Sequence, residues 1–385
     1  MKMSIHILRA AIAGAALFGQ VIYADSGKTI TTASDVSFRH EVQHAIDKGL
    51  GWLQTNQNTN GWWSTADQPA VTALALSAFM GEPSGVNQTH PSPALRHGYE
   101  FITSNAKPDG SIYAKGLQNY NTSICMMSLI AAHNPTYDPL LRRCRDWLFT
   151  QQVHAPGDPR DGGVGYGDHG PYSDMNNTMT ALEALYYSKY LDIDKPAADG
   201  KDLDWAAAIH FIQSCQNLPA YNKASWVSAE PRDKGGFIYA PGDTKSSKST
   251  NADGRVALRS YGSITYAGLL SYIYADLKKN DPRVKAAFDW LRENYTLDEN
   301  PGMGAQGLYY YLHLMTKALN IYGADQFSMA NGQQIDWRRD VAMKLINLQK
   351  ADGSWTNENG RWWEHDPALV TSYSLMSLEI LYPSL

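Results

Sequence analysis

Apolar positions along the chain fall into two alternating kinds of run. In the first, Val42, Ala45, Ile46, Leu50 and Leu53 recur among Glu41, Gln43, Asp47 and Lys48, a period that predicts an amphipathic helix with one wet face. In the second, residues 70–80 (AVTALALSAFM) are apolar nearly all round, which predicts a helix covered on most sides. The pair returns at the end of the chain, where Val341, Leu345 and Leu348 form a stripe beside Arg338, Arg339 and Lys344, ahead of a largely apolar run from Leu369 to Leu381. Six glycine turns punctuate the chain: Asn60-Gly61-Trp62-Trp63, Asp109-Gly110-Ser111-Ile112-Tyr113, Asp161-Gly162-Gly163-Val164-Gly165-Tyr166, Lys234-Gly235-Gly236-Phe237-Ile238-Tyr239, Pro301-Gly302-Met303-Gly304 and Asp352-Gly353-Ser354-Trp355. They mark a degenerate repeat of helix pairs, each unit roughly 45 to 80 residues long.

Trp52, Phe101, Trp147, Phe211, Trp290 and Leu345 anchor the predicted outer helices. The inner helices are predicted near 72–79, 122–129, 178–185, 263–270, 307–314 and 371–378. An open array needs polar caps at its ends. Because an apolar inner helix stops only four residues before Leu385, we expect it to close against the first repeat. The expected fold is all-α, a closed (α/α)6 toroid over residues 25–385. Long excursions at 156–173 and 217–260 both occupy an outer-to-inner connection, so both are expected at one mouth. Residues 245–253 (KSSKSTNAD) read as a mobile polar tip.

A length of 385 residues would permit two or three domains, but helix pairs sharing a core across every boundary argue for one. A net charge of -5, with no Lys/Arg run, gives no reason to expect nucleic acid. The 23 tyrosines and 11 tryptophans suit either an amphipathic cavity wall or packing between helices. At the N-terminus, Lys2 and Arg9 precede an apolar run from Ala10 to Ile22, and Ile22-Tyr23-Ala24 precedes Asp25. This reads as a cleaved signal peptide over residues 1–24, hence export to the periplasm or beyond; an uncleaved anchor is the alternative. The run is short for a membrane span, and no span is expected in the mature chain. Cys125, Cys144 and Cys215 are too few and too odd in number for a disulfide framework. No Cys-x-x-Cys or Cys-His pair is present to hold zinc, so we expect buried or half-buried free thiols.

Candidate chemistry gathers where the turns meet inner helices. Asp174 can cap the helix that follows it or face the cavity, and Asn176 and Asn177 can orient a polar ligand group. Trp362-Trp363-Glu364-His365-Asp366 places an imidazole beside carboxylates, a composition suited to a general base or a pH switch. Its alternative is a packed tryptophan pair with the charged residues solvated. The candidate catalytic residues are therefore Asp174, His365 and Asp366. Candidate ligand contacts are Asn176, Asn177, Tyr166, Tyr172, Tyr261, Trp362 and Trp363, with Asp168 and His169 a weaker cluster at the same mouth. Tyr309, Tyr310 and Tyr311 point about 100° apart on a helix, so one or two at most can line a cavity; His313 follows them.

The six units resemble the prenyltransferase and squalene-oxidase-type repeats of squalene and oxidosqualene cyclases and of protein prenyltransferase β subunits. Asp352-Gly353-Ser354-Trp355, after Leu348-Gln349, is similar to that family's Gln-Trp turn. The resemblance spans essentially the whole mature chain and implies an α/α toroid with a central cavity. Class II cyclases carry Asp-x-Asp-Asp-Thr at the start of an inner helix, and the nearest match here is Asp174-Met175-Asn176-Asn177-Thr178. A carboxamide is no useful Brønsted acid, so the proton donor is missing. The corresponding stretches Gln68 to Val71 and Pro367 to Val370 supply none. The zinc ligands of prenyltransferases would fall on Tyr261, Ser263 and Val370, none of them a zinc ligand in such sites. The Cys-Gly-Glu-Gln of toroidal thioester proteins is absent.

What remains is a cyclase-like toroid expected to bind a lipid, an isoprenoid or another apolar or amphipathic ligand, or a protein partner, with neither cofactor nor metal. The alternative is a diverged enzyme, cyclase-like or polysaccharide-lyase-like, working through Asp174, His365, Asp366 or a cavity tyrosine. Export itself weakens the enzyme reading, because isoprenoid cyclases normally work on the cytoplasmic side. Sugar chemistry rests on fold-level analogy alone.

Overall fold

The structure, a computed structural model, describes residues 33–167, 172–192, 202–251, 253–325, 327–329 and 331–385. The expected signal peptide, residues 1–24, lies outside the described residues. Six outer helices alternate with six inner ones: α1 (Ala33–Thr55), α2 (Pro69–Gly81), α3 (Pro93–Ser104), α4 (Gln118–Ala131), α5 (Asp138–Phe149), α6 (Met175–Tyr187), α7 (Trp205–Ser214), α8 (Gly262–Tyr274), α9 (Pro282–Glu293), α10 (Leu308–Tyr322), α11 (Trp337–Leu348) and α12 (Pro367–Leu381). Odd numbers lie outside and even numbers inside. Each inner helix packs on the next, and α12 packs back on α2, so the ring closes as the alternation predicts. Every residue of α2 is buried, as is every residue of α12 after Pro367. On α1 only one face is covered, through Phe38, Val42, Ala45, Ile46, Leu50 and Leu53.

The turn glycines join one repeat to the next. Gly61, Gly110, Gly162, Gly235 and Gly353 adopt φ between +82° and +99°, a region costly for residues with a Cβ. A Cβ there would also stand 2.1–2.5 Å from the carbonyl oxygen of His97, Arg143, Ala207, Ala286 or Lys48 on the following outer helix. The last contact, Gly353 on α1, is the seam of the ring. Just after each turn a backbone N–H donates to an inner-helix threonine: Trp63 to Thr72, Ile112 to Thr122, Val164 to Thr178, Phe237 to Thr265 and Trp355 to Thr371, at 2.9–3.1 Å. Gln57, Gln152, Gln216 and Gln349 each donate twice, to the turn glycine's carbonyl and to a carbonyl at the following outer helix.

The fifth turn departs from this plan. Gly302 lies against Ser246, Ser260 and Tyr261 rather than an outer helix. Asn300 works instead, accepting the Ser263 N–H at 2.9 Å at the start of α8.

The polar tip read from residues 245–253 takes part in a hairpin. Strand β1 (Lys248–Thr250) runs antiparallel to β2 (Val256–Leu258), with Ser249 opposite Ala257. Arg255 pairs with Asp253 at 2.5 Å, and Asn251 donates to the Val227 carbonyl at 3.1 Å. A second ribbon pairs β3 (Phe327–Ser328) with β4 (Gln334–Ile335), Phe327 opposite Ile335. Cys125, Cys144 and Cys215 are buried and free; burial raises all three thiols, Cys144 to about 12. Among the described residues, no helix is long and apolar enough to cross a membrane.

Candidate functional site

The inner helices run parallel, so their N-termini converge on one end of the barrel. Their first two turns line a central cavity of ≈ 270 Å³, through Ala70 and Val71, Tyr120, Asn176, Ser263 and Ile264, Tyr310, and Leu369 and Tyr373. The two long excursions add Tyr166, Tyr239 and Lys245, and the turn before α12 adds Trp362, Trp363 and Glu364. The Tyr166 and Tyr239 hydroxyls meet at 3.0 Å, which joins the two excursions at one mouth as expected from their positions.

The wall is aromatic, and its polar atoms largely serve one another. Tyr120 and Tyr373 share a hydrogen bond of 3.2 Å across the ring, and Tyr310 donates to Asn176 Oδ1. Burial raises the phenols of Tyr120, Tyr261, Tyr310 and Tyr373, keeping them neutral at physiological pH. Lys245 lies 2.6 Å from Asp243 and 4.1 Å from the centre of the Tyr239 ring, so its ammonium is both paired and stacked.

Carboxylates at the mouth complete helix N-termini. Asp174 is fully buried and accepts both the backbone N–H and the side-chain amide of Asn177 at 2.8 Å. Burial raises its carboxyl to about 6 against the lowering effect of these bonds. It does not line the cavity. Glu364, also buried, reaches from the last repeat to accept the Tyr310 N–H at 2.8 Å and the Asn357 amide at 2.7 Å; burial raises its carboxyl. Asp366 accepts from Ala368 and Leu369 at 2.9 and 3.2 Å and from the Ser64 hydroxyl across the seam. Such caps contribute ~0.5–2 kcal/mol each, reinforced by the positive end of the helix dipole.

Of the residues singled out from the sequence, Tyr166, Asn176, Tyr261, Trp362 and Trp363 line the cavity. Asn177 is engaged by Asp174, and Tyr172 stacks on Tyr166 with ring centres 6.4 Å apart. His365 is exposed, its Nδ1 3.3 Å from the Gly360 carbonyl, and neither it nor Asp366 reaches the cavity. Asp168 and His169 lie outside the described residues. Among Tyr309, Tyr310 and Tyr311, only Tyr310 lines the wall.

Trp362 and Trp363 have φ of 55° and 66°, a strained region for bulky side chains. Both are exposed at the rim, and Arg361 stacks on Trp362 at 4.5 Å.

Sequence reading missed Tyr120, Tyr239 and Tyr373 as wall, Glu364 as a cap, and a second chamber below. Tyr120, Tyr310 and Tyr373 form the floor of the main cavity and the roof of a space of ≈ 40 Å³ lined also by Glu183, His313 and Lys317. Lys317 pairs with Glu183 at 2.7 Å, and the Tyr274 hydroxyl donates to the same oxygen at 3.2 Å. His313 stacks on Tyr373 at 5.3 Å, and burial, then the Lys317 charge, lowers its pKa well below the usual imidazole value. The available signal was one charge in each of two largely apolar inner helices, Glu183 in α6 and Lys317 in α10. No group of three or more His, Cys, Asp or Glu side chains able to hold a metal occurs among the described residues.

No protein-family model matches the sequence, and neither does any curated protein. Solved structures do. A variant of the type II terpene cyclase MstE from Scytonema, in complex with geranylgeranyl dihydroxybenzoate, superposes with a TM-score of 0.53 at 11% identity, over 91% of this chain and 99% of the cyclase. An inactive variant of an α-1,6-mannanase from Salegentibacter, in complex with α-1,6-mannotriose, gives 0.52 at 11% identity, over 89% and 99%. At this identity the likeness is one of fold: the α/α toroid expected from the repeats.

Proposed function

We propose that this protein is an exported ligand-binding toroid that takes an apolar or amphipathic molecule into its central cavity without class II cyclase or zinc prenyltransferase chemistry. The observation that carries the reading is a cavity walled largely by aromatic and aliphatic side chains, whose lining carboxylate, Glu364, is spent on the Tyr310 N–H and the Asn357 amide, while Asp174 is committed to a helix N-terminus. With tyrosine hydroxyls paired to one another, the aromatic and aliphatic lining is suited to hydrocarbon. Asn176 and Asn177 stand where a class II cyclase carries its further acids, and neither can donate a proton usefully. Zinc chemistry lacks its ligands at Tyr261, Ser263 and Val370. The terpene cyclase MstE, of like fold, holds a geranylgeranyl-bearing substrate, which agrees with an isoprenoid or similar chain here.

Native mass spectrometry of gently purified protein tests the reading. We expect an apolar or amphipathic molecule to leave with the chain. Bare protein that also fails to take up added medium-chain alcohol would contradict it.

A glycan is the second reading. Trp362 and Trp363 stand exposed at the rim, where indoles could stack on sugar rings, and the mannanase of like fold holds a mannotriose. Soluble mannan oligosaccharides in the same binding assay separate the two. A protein docked on that tryptophan rim would instead emerge as a stoichiometric partner in cross-linking.

A further inference from the structure

The floor of the main cavity is a hydrogen-bonded sheet of tyrosines rather than a plug of aliphatic side chains. Tyr120 and Tyr373, 253 positions apart in sequence, meet hydroxyl to hydroxyl at 3.2 Å. Tyr310 completes the partition, its ring centre 5.6 Å from that of Tyr373. Below lies a space of ≈ 40 Å³, room for about two or three water-sized groups. Its walls carry Leu74, Ile124, Met127 and Met179, but an ion pair and an imidazole are set among them. Glu183, buried, and Lys317, mostly buried, face each other there, and Lys317 spends one of its three donors on the 2.7 Å contact. Neutral His313 presents its ring beside them and shares Nδ1 with the Ser377 hydroxyl at 3.4 Å.

An entirely apolar ligand gains nothing from the ion pair and the imidazole in that space. An ion pair inside a helical ring is costly to desolvate, and aliphatic packing would have served a purely apolar site better. A small hydrogen-bonding group arriving from above could use the spare Lys317 donors and the imidazole. Lys317 follows Tyr310 by seven residues on α10, so it lies roughly 10 Å further along the barrel axis. An extended chain of about ten carbons is comparable in length to that step.

We infer that the chamber under the tyrosine floor is a second, polar subsite, and that the ligand is a chain polar at both ends. One polar end stays at the mouth, near Lys245 and Trp363. The other passes the floor as Tyr120 and Tyr373 part and settles against Lys317 and His313. The floor tyrosines regain partners from the terminal group itself. This inference rests on the proposed amphipathic ligand and adds the requirement for a second polar terminus.

Isothermal titration of the full chain with 1-decanol and with 1,10-decanediol tests it. The hydrocarbon length is shared, so only the far hydroxyl differs. Above an apolar floor, burying that hydroxyl would weaken the diol by tenfold or more. We expect the diol to bind at least as tightly as decanol. We also expect the ratio of diol to decanol dissociation constants to rise about tenfold in the paired variant Glu183→Gln/Lys317→Met, which leaves no unpaired charge. A diol tenfold weaker than decanol in the wild type overturns the polar subsite while leaving the amphipathic reading intact. Failure of both alcohols to bind overturns that reading as well. The wild-type comparison stands even if the paired variant does not fold.

Discussion

The two ends of the barrel handle charge in opposite ways. At the mouth, six parallel helices present their positive N-termini, and Asp174, Glu364 and Asp366 each accept backbone N–H groups there. Charge and dipole agree, and these acids are explained by architecture. At the base the same helices present their negative C-terminal ends, yet the acids Glu183 and Glu379 are buried there. Glu183 has Lys317 as its counterion. Both oxygens of Glu379 are buried without a hydrogen-bond partner, and Glu82, whose charge acts on it, has the same sign. The acids that catch the eye in the sequence therefore cap helices, whereas the less conspicuous base carries the charge that architecture does not explain.

Substitutions rank this contrast by size. Lys317→Met alone strands Glu183 in a buried site and should cost about 3–5 kcal/mol in urea unfolding. The paired Glu183→Gln/Lys317→Met variant should recover most of that loss. Equal destabilisation of the two would mean that the ion pair is not coupled.

At the mouth the ionised form of Asp174 is disfavoured by burial, which lifts its folded pKa to about 6 from an unfolded value near 3.8. The wild type therefore loses stability as pH rises from about 4 to 6, on the order of 2–3 kcal/mol, and is level above that. Asp174→Asn keeps an acceptor for the Asn177 N–H and should flatten this slope in melting curves taken across that range. A slope unchanged by the substitution would place the titration elsewhere.

Glu379→Met should act in the opposite direction to most core changes. Removing a buried carboxyl without partners should stabilise the fold by about 1–3 kcal/mol near neutral pH. Burial raises its folded pKa, so the gain should grow as pH climbs above the ordinary carboxyl range. The smallest effect belongs to the half-buried cap Asp366, where Asp366→Ala should cost about 1 kcal/mol. A loss as large as that of Lys317→Met would erase the distinction between the two ends.

The fold was legible because its signals are local. Inner helices apolar on all sides had to be enclosed, and the glycine turns fell where φ must be positive and the next helix crowds in. Ring closure followed from an apolar α12 that needed α2 beside it. The site was legible only in part. Tyr166, Tyr261 and the tryptophan pair lie in the turns and excursions that attract notice. Tyr120 and Tyr373 look like packing residues on their own helices and meet only because the ring closes. Glu364 caps a helix of the preceding repeat, a relation that no local pattern encodes. His365 and Asp366, adjacent in sequence, diverge because the cap turns Asp366 into the helix while the imidazole faces solvent.

Ligand uptake by a deliberately filled cavity tests the central claim most directly. Ile264 lines the main cavity at the start of α8, and Ile264→Trp would occupy much of that volume without touching the base. The account predicts that decanol, titrated calorimetrically, binds the wild type and loses at least tenfold in affinity for Ile264→Trp at unchanged fold by circular dichroism. Equal binding by both proteins would contradict it.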